Sequence, residues 1–352
     1  MTAQLRAALA ALPAYAAGRN VPGSIKLASN EMPFPPLDSV VTAITFAAAG
    51  MNRYPDYGVQ TLTDKLAARF NVHRDQVAVG CGSVALCQQL IEITCLQDDE
   101  VLYSWRSFEA YPILAQVVGA RSVQVPLKNE ALDLDALAAA ITDRTRLIFI
   151  CTPNNPTGTV VHRAELEDFL AKVPDNILVV IDEAYREFVD DPETVDAIEF
   201  ARDRNNIAVL RTLSKAYGLA GLRVGFAVAA PEVAAAVRKV GIPFAVNAIA
   251  QAAAIASLDA EAELLERCRQ VMAQRSRVRD ELLAMGYHVP LTQANFVWLP
   301  LRDRAAEFSQ HCEDAKVIVR PFNNAENGGV RVTIGSPSEN DEFLKAALSF
   351  RG

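Results

Sequence analysis

Histidine is scarce, with four in 352 residues, and the four (His73, His162, His288, His311) are scattered. That spacing supplies no zinc ligand set. The six cysteines (Cys81, Cys87, Cys95, Cys151, Cys268, Cys312) contain no CxxC pair and lie mostly inside apolar segments. They read as reduced, buried thiols of a cytoplasmic protein rather than disulfides or metal ligands. A basic stripe is missing, and the net charge of -8 argues against nucleic acid as the main partner. No apolar run reaches membrane-span length. Residues 1–12 are Ala/Leu-rich but broken by Arg6, with no signal-peptide h-region. Neither a P-loop GK[ST] nor a GxGxxG is present. Internal repeats and low-complexity segments are also lacking.

What remains is an ordinary globular composition, 51% hydrophobic and 22% charged. The length suits a large domain plus a smaller one. Residues 1–36 read as an arm: a short helix, an extended segment at 24–28, then Ser29-Asn30-Glu31-Met32-Pro33-Phe34-Pro35-Pro36, where prolines forbid regular structure. Asp38 is placed to cap a helix running to about residue 49. Beyond the turn-rich Arg53-Tyr54-Pro55-Asp56-Tyr57-Gly58, short apolar strands (77–79, 101–103, 122–125, 147–150, 177–181, 207–210, 224–228) alternate with helices (83–96, 108–118, 134–141, 165–173). That alternation predicts an α/β fold: a mostly parallel sheet covered by helices on both faces, with ligands beyond the carboxyl ends of its strands. A long charged helix at 261–285 connects to a small α+β unit with strands at 296–299, 317–319 and 330–333. The boundaries expected are 1–50 for the arm and part of the small domain, 51–258 for the large domain, and 259–352 for the small one with its connecting helix.

Unusual residues cluster at the predicted strand ends. In Thr212-Leu213-Ser214-Lys215, followed by Arg223, an amine is flanked by anion-binding groups; a lysine held out of bulk water becomes nucleophilic, while most lysines are surface charges. Gly80-Cys81-Gly82-Ser83 either cradles an anion at a helix N-terminus or makes a plain tight turn. Trp105-Arg106-Ser107-Phe108-Glu109-Ala110-Tyr111 offers three aromatics, as a stacking platform or as packing under a loop. Thr152-Pro153-Asn154-Asn155-Pro156-Thr157-Gly158 is a rigid loop able to aim an amide, or simply a turn. Asp182 ends an apolar strand, where a carboxylate needs a cation or a helix to cap. Arg331, inside the apolar Gly329-Val330-Arg331-Val332-Thr333, wants a substrate carboxylate or a structural salt bridge, and Arg320 lies nearby.

In order and spacing these pieces resemble the fold-type I pyridoxal-phosphate aminotransferases, over essentially the whole chain. The segments Leu27-Ala28-Ser29-Asn30-Glu31, Arg53-Tyr54-Pro55-Asp56, Pro153-Asn154-Asn155-Pro156-Thr157-Gly158, Asp182-Glu183-Ala184-Tyr185 and Ser214-Lys215 are similar to the histidinol-phosphate aminotransferase subfamily. The variant Gly80-Cys81-Gly82-Ser83-Val84-Ala85-Leu86-Cys87 with Trp105-Arg106-Ser107-Phe108-Glu109 resembles the actinobacterial aromatic-amino-acid (phenylalanine) aminotransferases. Val84 stands where histidinol-phosphate aminotransferases usually carry Asp, and Met32 where they usually carry Asn.

The resemblance implies pyridoxal 5'-phosphate as cofactor. Lys215 would form its aldimine and shuttle a proton, Asp182 would keep the ring nitrogen protonated, and Asn155 and Tyr185 would bond the ring oxygen. Phe108 would stack on the ring. Gly82, Ser83, Val84, Thr212, Ser214 and Arg223 would hold its phosphate. Tyr54 would reach the cofactor of the neighbouring subunit, making a homodimer the expected form. Arg331 and Arg320 would bind substrate anions, and Tyr15 and Asn30 would line the side-chain pocket. The activity implied is transfer of an amino group from an aromatic amino acid to 2-oxoglutarate by a ping-pong mechanism. A histidinol-phosphate aminotransferase, a lyase or decarboxylase on the same fold, and a non-catalytic binder are the alternatives. The last is disfavoured because Lys215, Asp182 and Tyr185 are all present.

Overall fold

A computed structural model describes residues 18–350, together with Ala3 and Leu12. The short helix expected before residue 12 and Tyr15 lie outside the described residues. The strands in chain order are β1 (Ile25–Lys26), β2 (Val77–Gly80), β3 (Glu100–Trp105), β4 (Arg121–Pro126), β5 (Thr145–Cys151), β6 (Leu178–Asp182), β7 (Ile207–Thr212), β8 (Gly225–Ala229), β9 (Phe296–Leu299), β10 (Val317–Ile318), β11 (Arg320–Phe322) and β12 (Gly329–Thr333).

Seven of them form one sheet in the order β2-β8-β7-β6-β5-β3-β4. Pairing is parallel from β4 through β7; β8 alone runs against the rest, antiparallel to both β7 and β2. The continuous apolar runs reflect burial on both faces. Because side chains alternate, Ile148, Val179, Ile181 and Val209 enter one core, and Leu147, Phe149, Val180 and Leu210 the other. Parallel pairing then brings the ends of β5, β6 and β7 to one edge, with Cys151 opposite Asp182. The antiparallel return of β8 sets Gly225 opposite both Thr212 and Gly80.

A three-stranded antiparallel sheet, β11-β12-β9, and the short parallel pair β1-β10 lie outside the large sheet. The segment after β1 is laced to β12: the Thr333 N–H donates to the Leu27 carbonyl and the Asn30 N–H to Thr333 Oγ1, both at 2.9 Å. The long helix runs Glu261–Ala284.

Several local expectations shift. Asp38 is the first residue of its helix rather than the cap, which is Leu37 without a side-chain bond. The helix expected from Phe108 begins at Ala110, leaving Phe108 in the loop. Val319 falls between two strands, and Arg320 opens β11. Helices Pro231–Val240 and Ala248–Asp259 fill a stretch to which the sequence reading gave no element. The second buries Ala250, Ala253, Ala254 and Ser257 and carries no charged residue before its last position, so it has no polar face to set its period.

Candidate active site

A cavity of about 260 Å³ opens at the carboxyl edge of the large sheet, roofed by β11 and β12 and by the segment after β1. Its charged lining consists of Lys215, Arg223, Arg320 and Arg331 with Asp182 and Glu109. Lys215 is partly buried beyond the end of β7, and its Nζ donates to the Ser29 carbonyl at 3.1 Å. Burial, and after it the positive charge of Arg331, push this amine down to about 7. A lysine in water titrates near 10.4, so Lys215 is far richer in its nucleophilic neutral form.

Asp182 ends β6 and is almost wholly buried. Its carboxylate accepts a hydrogen bond from the Tyr111 hydroxyl at 2.7 Å and one from the Ala184 N–H at 3.3 Å. Burial raises its pKa, while these two bonds pull it down. Both partners are neutral, so a cation in the cavity would be a complementary neighbour. Tyr185 accepts from Asn30 Nδ2 at 2.9 Å, and burial pushes its hydroxyl pKa up. Asn155 Oδ1 accepts from Arg331 Nη1 at 2.5 Å, and Arg331 Nη2 donates to the Ala28 carbonyl at 2.8 Å. Asn154, beside Asn155, is spent on structure, bonding Ser107, Thr157 and the Arg106 carbonyl. Cys151 also lines the cavity, but burial pushes its thiol up to about 12, which leaves it protonated at neutral pH.

An anion cup closes one end. Ser83 and Val84 stand in the first turn of the helix Gly82–Thr94, where N–H groups and the helix dipole favour negative charge. Arg223 Nη1 reaches Ser214 Oγ at 3.3 Å. Thr212 Oγ1 accepts from the Ser214 N–H at 3.1 Å and so shapes the turn. Gly82 takes φ +76°, and a Cβ there would stand 2.5 Å from Arg223 Nη2. A Cβ on Gly225 would meet the Ser83 nitrogen at 2.5 Å. Both glycines are thus required for backbone and guanidinium to converge.

The structure therefore brings together Ser83, Val84, Phe108, Asn155, Asp182, Tyr185, Thr212, Ser214, Lys215, Arg223, Arg320, Arg331 and Asn30. Of the three aromatics expected as a platform, only Phe108 faces the cavity. Tyr111 stacks on Phe149 with centroids 4.2 Å apart, and Trp105 packs edge-on against Tyr103. Tyr54 lies away from the cavity of its own chain, 83% exposed and stacked on Phe244. Sequence reasoning missed Tyr111 as the donor to Asp182, Glu109 as the partner of Arg320, and Gly225. Glu109 and Tyr111 stood inside a quoted motif, but no local spacing says which distant side chain each meets.

The family model for class I and II aminotransferases matches residues 22–346. The aromatic amino acid aminotransferase of Streptomyces coelicolor is 57% identical, covering 99% of this chain and 98% of its own. That of Mycobacteroides abscessus is 55% identical over the whole of both chains. Among solved structures, the histidinol-phosphate aminotransferase of Sinorhizobium meliloti, in complex with pyridoxal-5'-phosphate, superposes with a TM-score of 0.91 at 26% identity, covering 99% of this chain and 97% of its own. With a lysine, a buried carboxylate and an anion cup meeting at one sheet edge, and with these full-length likenesses, the chain belongs to the class I and II aminotransferases.

Proposed function

We propose that this enzyme is an aromatic amino acid aminotransferase that uses pyridoxal 5'-phosphate to move the amino group of phenylalanine, tyrosine or tryptophan to 2-oxoglutarate. The observation that carries the reading is full-length identity of 55–57% to relatives bearing that name. The donor set suits the cofactor. A cup of helix N–H groups, Ser214 and Arg223 fits a phosphate, and the buried Asp182 carboxylate, whose partners among the described residues are the neutral Tyr111 hydroxyl and Ala184 N–H, fits a protonated ring nitrogen.

Bound pyridoxal phosphate supplies an aldehyde that condenses with amines and a ring that draws electrons from the substrate's α-carbon. The chain's own residues do the rest. The Lys215 amine, depressed to about 7, is the nucleophile and then the base that takes the α-proton at Nζ and returns it. Asp182 holds a proton at the ring nitrogen, with Tyr111 fixing the carboxylate. Asn155 and Tyr185 would hold the ring by its oxygen, and Phe108, which faces the cavity, would shield the ring from water. Gly82, Ser83, Val84, Thr212, Ser214 and Arg223 anchor the phosphate. Arg331 binds the substrate α-carboxylate, a match for its planar fork. Arg320 and Asn30 belong to the substrate pocket. Tyr54 completes the neighbouring subunit's site, so the active form is a homodimer, located in the cytoplasm.

The test uses purified protein with pyridoxal phosphate, phenylalanine and 2-oxoglutarate, following phenylpyruvate and glutamate. Lys215→Ala should lower turnover by roughly a thousandfold or more. Arg320 directly opposite Arg331 favours a second reading, a histidinol-phosphate aminotransferase, because two guanidiniums suit a phosphate dianion. A higher kcat/KM for histidinol phosphate than for phenylalanine would select that reading and reject the first.

A further inference from the structure

Arg320 and Arg331 are direct cross-strand partners in the antiparallel pair β11-β12, so their side chains leave the same face of the sheet. Both line the cavity. Like charges placed this way repel unless each meets a compensating group. The contacts of Arg331 include the Asn155 amide oxygen and the Ala28 carbonyl, and its guanidinium lies 5.5 Å from the Phe296 and 5.6 Å from the Phe322 ring centroid. Arg320 is met by a full carboxylate: Nη2 lies 2.7 Å from Glu109 Oε2, with the arginine side chain 12% and the glutamate side chain 30% exposed. The Arg320 guanidinium also lies over the Phe322 ring, 5.5 Å from its centroid, and Arg106 stands 3.9 Å from the other Glu109 oxygen. Glu109 itself faces the cavity. Its reach follows from the loop: Phe108 and Glu109 precede the helix Ala110–Val118, so both project from the end of β3 into the site.

We infer that Glu109 is a specificity-determining residue: by holding Arg320, it leaves Arg331 as the cation offered to the group on the substrate's α-carbon, and so favours a carboxylate there over a CH2–phosphate. This rests on the aminotransferase reading above. An α-carboxylate carries one negative charge, and one planar guanidinium satisfies it. A phosphate dianion on an extra methylene needs a second cation. To gain Arg320 it must break a partly buried ion pair and then sit beside the Glu109 carboxylate, and like-charge contact of that kind discriminates between ligands. An amino acid with an uncharged aromatic side chain meets neither cost.

The test compares holoenzyme and Glu109→Gln, which keeps the shape and removes the charge. The readouts are kcat/KM for L-phenylalanine and for L-histidinol phosphate, and the calorimetric Kd of histidinol phosphate. The expected result is a rise of about tenfold or more in the ratio of histidinol phosphate to phenylalanine kcat/KM, with tighter histidinol phosphate binding. The rise should vanish in Glu109→Gln/Arg320→Gln, because it depends on the released guanidinium. An unchanged ratio, or an equal loss on both substrates, reduces Glu109 to a structural partner and overturns the inference. If Glu109→Gln melts below assay temperature, Glu109→Asp, which withdraws the carboxylate by one methylene, should show a smaller rise of the same sign, and no rise overturns the inference equally. Failure of the wild-type enzyme to transaminate phenylalanine would overturn the functional reading instead, while the Kd comparison would still judge Glu109.

Discussion

Lys215 shows how one side chain acquires its chemistry from its surroundings. Burial penalises its ammonium form, and Arg331 adds repulsion, so the folded pKa of about 7 lies below the unfolded value of 10.5. The native chain then binds fewer protons than the unfolded one between those limits, so this group makes stability rise with pH across that window and fall as pH drops through 7. Reactivity follows the same sign. In the cofactor-free protein, trinitrobenzenesulfonate should modify Lys215 with a midpoint near pH 7, about three units below ordinary surface lysines, as read by peptide mapping. A midpoint of 9 or higher would contradict a desolvated amine. The lysine was legible in the sequence because a charge in an uncharged run at a strand end is conspicuous. Tyr111 was not: its hydroxyl meets Asp182 across 71 residues of chain, and in the sequence it reads as one of three aromatics of a stacking platform or of packing under a loop.

At the scale of elements, the anion cup depends on three pieces of backbone converging: the start of the helix Gly82–Thr94, the end of β7 and the start of β8. The glycine pair Gly80 and Gly82, which leads into the helix, was visible as a turn signal. Gly225 was hidden, because a single glycine opening an apolar strand carries no mark of what packs against it. Its role predicts a contrast. A methyl at Gly225 would strike the Ser83 nitrogen at 2.5 Å, the Gly82 carbonyl carbon at 2.9 Å and the Arg211 carbonyl at 3.1 Å, all backbone atoms that cannot swing aside. A methyl at Gly82 strikes the far end of the flexible Arg223 side chain, and its further cost is the φ of +76°. Gly225→Ala should therefore lower unfolding stability by roughly 2–3 kcal/mol in denaturant titrations, the upper part of the range for overpacking with backbone shifts. Gly82→Ala should lose about 1 kcal/mol of stability, the low end of the cost of a left-handed φ for a residue with a Cβ. Its main defect should be a weakened grip on pyridoxal phosphate, read as a raised Kd in fluorescence titration. Equal stability losses in the two variants would argue that the cup has more slack than its packing implies.

For the whole molecule, the alternation of apolar strands and helices was enough to read the layered α/β architecture, because strands buried on both faces leave unbroken apolar runs such as 178–181. Strand order and the reversal of β8 were not readable, since an apolar strand looks alike in either direction. The surface poses a different question. Tyr54 stacks on Phe244 and Tyr57 meets the same ring edge-on, while Tyr54 is 83%, Phe244 39% and Tyr57 62% exposed, and Ile242 nearby is 77% exposed. A polar surface rarely leaves aromatic rings gathered in this way unless another surface covers them. A second copy of the chain is the cover consistent with the role proposed for Tyr54, because one patch meeting itself closes a two-fold dimer. Sedimentation equilibrium at micromolar concentration should then give twice the 38.2 kDa chain mass. Phe244→Asp, placing a charge among the rings, should shift the mass toward one chain and lower phenylalanine turnover at least tenfold at limiting enzyme concentration, with activity recovering as concentration rises. That recovery separates lost assembly from a damaged site, since a defect inside one chain would not respond to concentration. A wild-type mass of one chain together with full activity would show that each cavity is complete without Tyr54 of a neighbour.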